Sequence, residues 1–293
     1  MGSPAMVLHA ERARFGVLRT VSRYRPAVLL AVVVLLVAVL YAVLVPILRP
    51  VDEVLVDFSV SRTPPSARFP FGTDNAGRDV FVRVALGMRI SLFIAVLTAL
   101  GSTVIGVLVG VTAGGFGGWW DRIAMRVADA VNSLPSLLLT LLIVAMFRGS
   151  VTAIVVSLML THWTAIVRVV RSEMLVLRNA EFVQAARLRG LSRARIVRRH
   201  FLPVARGQAL VGVVLLIPHA IWHESTLSFL GVGLPPHRAS LGTLLSDAQA
   251  SILLGDWWLL AFPAGVLVLV TLAVSVLGRH WQRGIEGVQE VSA

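Results

Sequence analysis

Residues 181–203, which read EFVQAARLRGLSRARIVRRHFLP, form the longest polar interruption between the hydrophobic blocks of this chain. Asn179, just before the stretch, is a suitable N-cap, and Glu181 then places a carboxylate at the positive end of a helix dipole. Gly190 stands where a C′ residue with positive φ would end that helix. Ser192 is suited to cap a second helix. The stretch therefore predicts two short helices joined by a turn.

Each of these predicted helices has an apolar face. In the first helix, Phe182, Ala185 and Ala186 occupy positions i, i+3 and i+4. In the second, Ile196, Val197 and His200 share a face opposite Arg195, Arg198 and Arg199. Pro203 marks the return of hydrophobic sequence. We predict a helix–turn–helix that is held against a membrane and offers small residues to a partner.

The composition indicates an integral membrane protein. Of the 293 residues, 57% are hydrophobic and only 14% are charged, with a mean hydropathy of +0.83. A soluble domain of this size would carry about a quarter charged residues. The chain has no Cys, which excludes disulfides and thiolate metal sites. All 27 basic residues are Arg, so no Lys is present for a Walker A loop or a Schiff base.

Six hydrophobic runs are long enough to cross a bilayer, which requires about 20 apolar residues. They cover 27–48, 90–112, 127–147, 151–170, 207–230 and 257–278. The first run is longer than the apolar region of a signal peptide and lacks a small-residue cleavage site, so we predict an uncleaved span. The predicted fold class is an all-α integral membrane protein with six transmembrane helices.

The arginines are distributed unevenly between the two sides of the predicted membrane. With both termini on one side, 19 Arg fall on that side and 8 on the other, Arg148 among the latter. The positive-inside rule then makes both termini cytoplasmic. The predicted segments are a cytoplasmic N-terminal segment 1–26, a first transmembrane helix 27–48, an extracytoplasmic loop 49–89, a five-helix core 90–278 with a cytoplasmic loop 173–206, and a cytoplasmic tail 279–293. The net charge of +12 is thus a topology signal, and we expect no nucleic-acid partner.

Small residues recur every fourth position in the second hydrophobic run. They are Ser102, Gly106, Gly110 and Gly114. A stripe of this kind lets the backbone of another helix approach closely within a membrane. We therefore predict a tight helix–helix contact along this stripe.

The predicted extracytoplasmic loop ends in a cluster of charges. Asp74 and Asp79 can pair with Arg78 and Arg83 and so brace the loop. A role in substrate binding is the alternative, although charge meshes of this kind at membrane edges are usually structural.

The fifth hydrophobic run contains several polar residues, namely His219, His223, Glu224, Ser225 and Ser228. An ionisable residue in a span is a candidate functional residue, because its burial is costly unless it is paired. His219 and His223 lie one helical turn apart and adjoin Glu224, a pattern that resembles part of a metal site, yet no third ligand is evident. A hydrogen-bonded packing or pore role is the other interpretation.

The spacing within 181–203 resembles the EAA loop of ABC-importer permease subunits. The matching positions are Gln184, Ala185, Ala186, Gly190, His200, Leu202 and Pro203. Gln184 replaces the Glu of the motif, and His200 replaces its usual Ile. In that family the loop inserts into a groove on the nucleotide-binding subunit. The resemblance implies that these residues, together with Glu181, couple this chain to an ATPase.

Two further blocks resemble the second membrane subunit of dipeptide, oligopeptide and nickel importers. FGTDNAGRDVFVRVALGMRISL at 71–92 follows the pattern GTDxxGRDxxSR…GxRxSL of that subfamily, with Val82 in place of Ser. AIWHESTLSFLGVGLPP at 220–236 follows AIxxExxLSFLGxGxxPP, and Trp222 and His223 fill positions that are usually small or apolar. The three blocks and the span count extend this resemblance over most of the chain.

The resemblance implies the type I ABC-importer permease (MetI-like) fold, with the EAA helices as cytoplasmic coupling helices. It implies a non-catalytic permease that forms half of a translocation path for peptides or a related small ligand. The expected partners are a second homologous permease, two ATP-binding subunits, an extracytoplasmic substrate-binding protein and the lipid bilayer of a bacterial inner membrane. We expect no cofactor in this chain, since ATP and Mg²⁺ would bind to the ATPase subunits.

In this framework the polar residues of the fifth run are predicted to line the translocation path. Glu224 lies 17 residues beyond Gly207, about 25 Å along a helix, so we expect it near the outer boundary. There it could meet a substrate amino group or form a hydrogen bond with a neighbouring helix. The alternatives to a permease are a metal-dependent membrane enzyme that uses His219, His223 and Glu224, and a membrane scaffold without transport activity.

Overall fold

The protein is built from helices. A computed structural model describes residues 4–49, 56–147 and 149–291. The ends of the two predicted terminal segments (1–3 and 292–293), part of the predicted extracytoplasmic loop (50–55) and Arg148 lie outside the described residues. In the described ranges the helices are α1 (Pro4–Leu48), α2 (Val80–Phe116), α3 (Gly118–Asn132), α4 (Ser136–Met146), α5 (Val151–Leu177), α6 (Glu181–Leu188), α7 (Arg193–Ile196), α8 (Leu202–Phe229), α9 (Leu241–Ile252) and α10 (Trp258–Val291). The segment before α2 contains a short 3₁₀ turn, Phe58–Val60.

Five stretches of these helices are long and apolar enough to cross a membrane. They are Pro26–Leu48, Val80–Phe116, Val151–Leu177, Arg193–Phe229 and Trp258–Gly284. A sixth span results if α3 and α4 are counted as one broken crossing, since they are bent by 81° at the break between them. The prediction of an all-α membrane protein with six spans is confirmed in this form.

The predicted third span is not a straight helix over 127–147. The chain changes direction at Pro135, which has an extended backbone (φ −55°, ψ 124°) and immediately precedes α4. Proline has no N–H to donate and disfavours a helical conformation in the residue before it. A hydrophobic run of suitable length therefore contains a break that hydropathy alone does not reveal.

Two helices extend beyond the spans that were predicted for them. Helix α2 begins ten residues before the predicted start at Ile90, because the Asp79 side chain accepts a hydrogen bond from the Phe81 N–H (2.9 Å) and caps the helix. Helix α7 continues through a π-helical turn, Val197–Phe201, directly into α8. The second helix of the predicted helix–turn–helix is thus the first part of a long membrane helix.

Helices α2 and α5 form the most extensive helix–helix contact in the described residues. The small-residue stripe of α2 lies in this contact. A methyl group on Gly106 would come within 2.7 Å of the Ile166 Cβ, and one on Gly110 would come within 2.9 Å of the Val170 Cβ. Glycine at these positions is what permits the close approach, and the predicted tight contact is confirmed.

The remaining long helices pack around this pair. Helix α8 contacts α2, α5, α9 and α10, while α1 packs mainly against α10 and also against α2. Only 11% of the most apolar 18-residue stretch of Pro26–Leu48 is buried, so most of this span presents apolar side chains to the outside of the protein. A helix with apolar residues on every face is expected where lipid surrounds it. Helix α9, with 12 residues, is too short to span a bilayer.

We predict that Gly110→Ala weakens the contact between α2 and α5. The new methyl group would lie 2.9 Å from the Val170 Cβ and 3.0 Å from the Val167 carbonyl oxygen, so backbone as well as side chains must shift. Overpacking of this kind typically costs about 1–3 kcal/mol. The expected result is a lower thermal unfolding midpoint of the purified protein in detergent.

Gly207→Ala in α8 is the matched control for this substitution. A methyl group at Gly207 would meet no heavy atom within 4 Å. Because alanine favours a helix over glycine by about 1 kcal/mol, this variant should be as stable as the parent protein or more stable. Equal destabilisation by the two substitutions would contradict the close-contact interpretation.

Candidate coupling segment and membrane cavity

Helix α6 begins without a side-chain cap. Its N-cap residue is Ala180, and no side chain accepts a hydrogen bond from the first turn. The predicted N-cap, Asn179, lies one residue too early, so this prediction is wrong. Its N–H donates to the Val176 carbonyl as α5 ends, and its own carbonyl accepts a hydrogen bond from the Gln184 side chain (3.0 Å). Asn179 thus belongs to the turn between α5 and α6.

The end of α6 and the start of α7 agree with the sequence. Gly190 has φ +78°, and its N–H donates to the Arg187 carbonyl (2.9 Å). The Leu191 N–H donates to the Ala186 carbonyl (3.1 Å), which completes a Schellman motif. Ser192 then accepts a hydrogen bond from the backbone of the next helix and caps α7. The predicted C′ glycine and the predicted second N-cap are both confirmed.

The buried face of α6 differs from the predicted one. Val183 is fully buried and Ala186 is only 8% exposed. Phe182 is 49% exposed, and Ala185 is exposed as well. The predicted set of Phe182, Ala185 and Ala186 is therefore divided between two sides of the helix. The reason is that α6 has apolar residues on both sides, so periodicity alone does not show which side meets the protein.

The buried side of α6 packs against the start of the long helix formed by α7 and α8. Val183 and Ala186 belong to a buried cluster that includes Ile196, Phe201 and Ala205. The predicted apolar face of the second helix is present, because Ile196 is buried while the three arginines at 195, 198 and 199 are exposed. Helix α6 is thus fixed to the membrane-spanning core.

The other residues of the predicted coupling motif lie around this contact. Glu181, Gln184, Gly190 and Pro203 are exposed, whereas His200 and Leu202 are partly buried. The His200 ring lies 5.7 Å from the ring of Phe182, measured between centroids. Leu188, at the end of α6, is 91% exposed. Exposed apolar residues therefore remain on the outward side of the segment.

Asp74 is the centre of the charge cluster before α2. Its carboxylate accepts hydrogen bonds from Arg78 Nε (2.8 Å) and from Arg83 Nη1 (2.6 Å). Asp74 and Arg83 are each only 3% exposed. Arg83 also lies 3.3 Å from Asp247 of α9, a residue that the sequence analysis missed because it is distant in the chain. Burial raises the pKa of the Asp247 carboxyl, although Arg83 acts in the opposite direction.

Asp79 does not take part in this cluster, which corrects the prediction that it pairs with Arg78 or Arg83. Its carboxylate caps α2, as described above, and lies 3.6 Å from Arg49 at the end of α1. A second link that sequence did not reveal joins Arg62 to Asp256, with 2.6 Å between Nε and the carboxylate. Arg62 thus attaches the segment before α2 to the turn between α9 and α10, and Arg83 of α2 connects Asp74 of the same segment to α9.

Glu224 is completely buried and is surrounded by hydroxyl groups. Ser91 of α2 donates a hydrogen bond to Glu224 Oε2 (2.6 Å), and Ser228 donates to Oε1 (2.9 Å). The Ser91 oxygen also accepts a hydrogen bond from the N–H of Leu241, the first residue of α9 (3.3 Å). Glu224 therefore connects α8, α2 and the start of α9. The structure thus provides the helix–helix hydrogen bond that was one of the two predicted roles.

A cavity of about 590 Å³ lies beside α5 and α8. Its polar lining residues are Asn132, Ser136, Thr161, His162, Thr164, Gln208, His219, His223 and Gln282. Of the residues predicted to line a path, His219 and His223 are at this cavity. Glu224, Ser225 and Ser228 are not among its lining residues, because they point into the packed contact between α8, α2 and α9.

His162 of α5 is one of the lining residues that the sequence did not reveal. Its ring stands perpendicular to the ring of His223, with 4.7 Å between the centroids. No spacing in the sequence links the two residues, because they lie on different helices. Among the described residues, no group of three or more His, Cys, Asp or Glu side chains has the geometry to hold a metal ion. The predicted pair, His219 and His223, thus lies beside a third imidazole, that of His162, but the described residues do not form a metal-ligand set around it.

Comparison with known proteins identifies a family, and the matched region contains both the coupling segment and the cavity. A family model described as "binding-protein-dependent transport system inner membrane component" matches residues 106–287. The chain belongs to this family. It is therefore a multi-pass membrane component of a transport system that depends on a binding protein.

Two relatives from Bacillus subtilis (strain 168) align with most of the chain. The dipeptide transport system permease protein DppC is 41% identical over 223 residues, which are 76% of this chain and 70% of the relative. The oligopeptide transport system permease protein OppC is 39% identical over 215 residues, or 73% of this chain and 70% of the relative. Both relatives are transport permeases, and neither the family model nor these relatives favour a membrane enzyme or a scaffold.

We predict that Glu224→Ala destabilises the anchoring of α9. The substitution removes the acceptor for the Ser91 and Ser228 hydroxyls, and a buried polar group without a partner costs about 1–3 kcal/mol. The expected results are a lower thermal unfolding midpoint and faster hydrogen exchange at the Leu241 amide. Thr226→Ala on the same helix is the control, because its hydroxyl donates to the Trp222 carbonyl one turn earlier. Equal effects of the two variants would count against the proposed anchoring.

Proposed function

We propose that this chain is the permease subunit of an ABC importer for peptides, with no catalytic residue of its own. The observation that carries this proposal is the similarity to the dipeptide and oligopeptide permeases over about 70% of their length. The exposed side of α6 supports it, because a surface for an ATPase is what such a subunit requires. Half of the translocation path would be formed by this chain.

The proposal includes the remaining subunits of the importer. A second, homologous permease would complete the path, and two ATP-binding subunits would supply energy from ATP and Mg²⁺. An extracytoplasmic substrate-binding protein would deliver the peptide, as the family description implies. This division of labour is consistent with a chain that contains no Lys for a Walker A loop. Nucleic acid has no place in this assembly.

Reconstitution of the complex tests the proposed function directly. The purified complex would be inserted into proteoliposomes with its binding protein, and uptake of a labelled dipeptide would be measured. Uptake should require both ATP and the binding protein. A complex that hydrolyses ATP without importing any di- or oligopeptide would overturn the proposed cargo.

We propose that the outward side of α6 contacts the ATPase. Leu188 is 91% exposed, and Phe182 and Ala185 are exposed beside it. An apolar group of this kind outside the lipid typically marks a protein interface. The exposed arginines of α6 and α7 surround it with charge. Ala186 is not part of this surface, because it packs inward against the permease core.

Leu188→Glu is predicted to block assembly with the ATPase subunits. It places a charge in an apolar contact but disturbs no packing within this chain, so membrane insertion and folding should be unchanged. The expected result is at least a tenfold loss of co-purified ATPase, which corresponds to about 1.4 kcal/mol. Co-purification from detergent-solubilised membranes provides the measurement.

Two further variants make this measurement specific. Ser172→Glu places the same charge at an exposed position near the end of α5 and should leave assembly intact. Ala186→Glu should instead lower the stability of the permease itself, since this side chain is buried. Normal ATPase recovery with Leu188→Glu would contradict the proposed contact surface.

We propose that both termini and α6 face the cytoplasm of a bacterium, on the basis of the arginine distribution. The native chain contains no Cys, so single cysteines can be introduced cleanly. Arg189→Cys in the coupling segment should react with an impermeant maleimide only after the cells are opened. Asn75→Cys, at an exposed position before α2, should react in intact cells. The opposite labelling pattern would reverse the orientation.

A further inference from the structure

The cavity beside α5 and α8 is lined by apolar side chains and by a set of polar groups. Among the described residues that line it, none is Asp, Glu, Arg or Lys, and the polar groups are imidazoles, amides and hydroxyls. Its volume of about 590 Å³ lies within the range of about 300–1,000 Å³ that is typical of ligand pockets. The cavity is therefore large enough for a small organic ligand and carries no fixed charge.

We propose that this cavity is a cargo subsite in which the Nε2 atoms of His162 and His223 accept hydrogen bonds from N–H groups of a peptide. The proposal rests on the proposed function of the chain as a peptide permease. It goes further by naming the acceptor atoms and the part of the cargo that they recognise. It also adds His162, which has no counterpart in the motifs of the sequence.

The hydrogen bonds of His162 determine which of its ring nitrogens is available. Nδ1 lies 2.9 Å from the Leu158 carbonyl oxygen, one helical turn earlier on α5. A carbonyl oxygen only accepts, so this contact favours the tautomer in which Nδ1 carries the proton. The Thr161 hydroxyl also lies 2.9 Å from Nδ1, but it donates to the Ser157 carbonyl (3.1 Å) and so does not require Nδ1 as an acceptor. In the neutral ring, Nε2 then has no proton and is an acceptor. His162 thus presents an acceptor whose tautomer is set by its own helix.

His223 has the same arrangement on α8. Its Nδ1 lies 3.0 Å from the His219 carbonyl oxygen, so Nδ1 is again the donor and Nε2 the acceptor. The Ser136 hydroxyl lies 3.5 Å from this Nε2, a long contact that a stronger donor can replace. Because the two rings lie 4.7 Å apart, a single ligand can reach both acceptors.

The neighbouring groups supply the complementary donors. The Thr164 hydroxyl donates to Asn132 Oδ1 (2.9 Å), which orients the Asn132 NH₂ as the free end of that amide. Gln208 adds a second amide to the lining. A peptide unit offers one N–H donor and one C=O acceptor, so it matches imidazole acceptors beside amide donors. A cavity that recognises the main chain in this way does not discriminate among the side chains of different peptides.

The same lining disfavours an anionic ligand. A carboxylate has only acceptor oxygens, and it would face the acceptor atoms of both imidazoles, with no arginine among the described residues that line the cavity. Burial of an unpaired ion in a site of this kind is costly. The cavity therefore favours uncharged N–H groups, which a peptide provides at its peptide bonds.

The first test compares substitutions that keep or remove the Nε2 acceptor in the complete importer. His162→Phe and His223→Phe preserve a planar ring but lose the acceptor, and each should raise the KM for peptide uptake about 2- to 10-fold. His162→Gln and His223→Gln place an amide oxygen close to the Nε2 position and should recover most of the affinity. Trp222→Phe on α8 is the control, because Trp222 is 60% exposed and does not line the cavity.

Modified cargo tests the chemistry of the donor. A dipeptide with an N-methylated peptide bond lacks the amide N–H, and an N-acetylated dipeptide lacks the α-ammonium group. The ratio of the KM values of variant and parent is compared for each cargo, so the contribution of the binding protein cancels. In the variant that carries both His162→Phe and His223→Phe, at least one of the two modifications should no longer raise the KM. The modification that has lost its effect identifies the donor group. If both modifications raise the KM of the double variant as much as they raise the KM of the parent complex, the proposal is overturned.

Protection from labelling tests occupancy of the cavity without relying on uptake. Val169→Cys lies in the lining and Val176→Cys lies beyond it on the same helix. Peptide together with the binding protein should slow maleimide reaction at position 169 but not at position 176. Protection of position 169 in the absence of cargo would show that the second permease fills the cavity, and would overturn the proposal.

These outcomes are distinguishable from a failure of the proposed function. If the parent complex imports no peptide, the cargo assignment is wrong irrespective of the histidine variants. If the parent complex imports peptide while all histidine variants retain its KM, only the cavity proposal is wrong.

Discussion

The close contact between α2 and α5 is the constraint on which the rest of the structure depends. Lipid provides little driving force for helix association, so helices in a membrane are held by tight packing and by hydrogen bonds between them. Gly106 and Gly110 let α5 approach to a distance that any larger side chain would prevent. The cavity depends on this pair because α5 carries His162, and the anchoring of α9 depends on it because α2 carries Arg83 and Ser91.

The buried polar groups serve mainly to hold α9 in place. Arg83 of α2 reaches Asp247 in the middle of α9, and Ser91 of α2 meets the first N–H of α9 while it donates to Glu224. Helix α9 also buries Leu241, Leu244 and Ala248 in an apolar cluster with α2, α8 and α10, so the polar links add specific contacts to this packing. Buried polar networks are effective in this role only when their members are paired.

One continuous helix joins the coupling segment to the cavity. His223 at the cavity lies 27 residues beyond Ile196, which packs under α6, a rise of about 40 Å along the helix. A displacement of α6 by a partner would act directly on the end of this helix. The arrangement provides a physical route between the proposed ATPase surface and the proposed cargo subsite, and it exists because the helix does not break at Pro203.

Sequence by itself determined the membrane class, the approximate spans, the glycine stripe and the C-terminal end of α6. These features are local, since hydropathy, small-residue spacing and the conformational freedom of Gly190 act within a few turns of helix. Tertiary structure decided the partner of Asp79, the buried side of α6, the anchoring role of Glu224 and the pairing of His162 with His223. Each of these depends on which distant segment lies opposite a side chain. An eight-residue helix that is apolar on both sides, or a histidine on a separate span, carries no local signal of its neighbour.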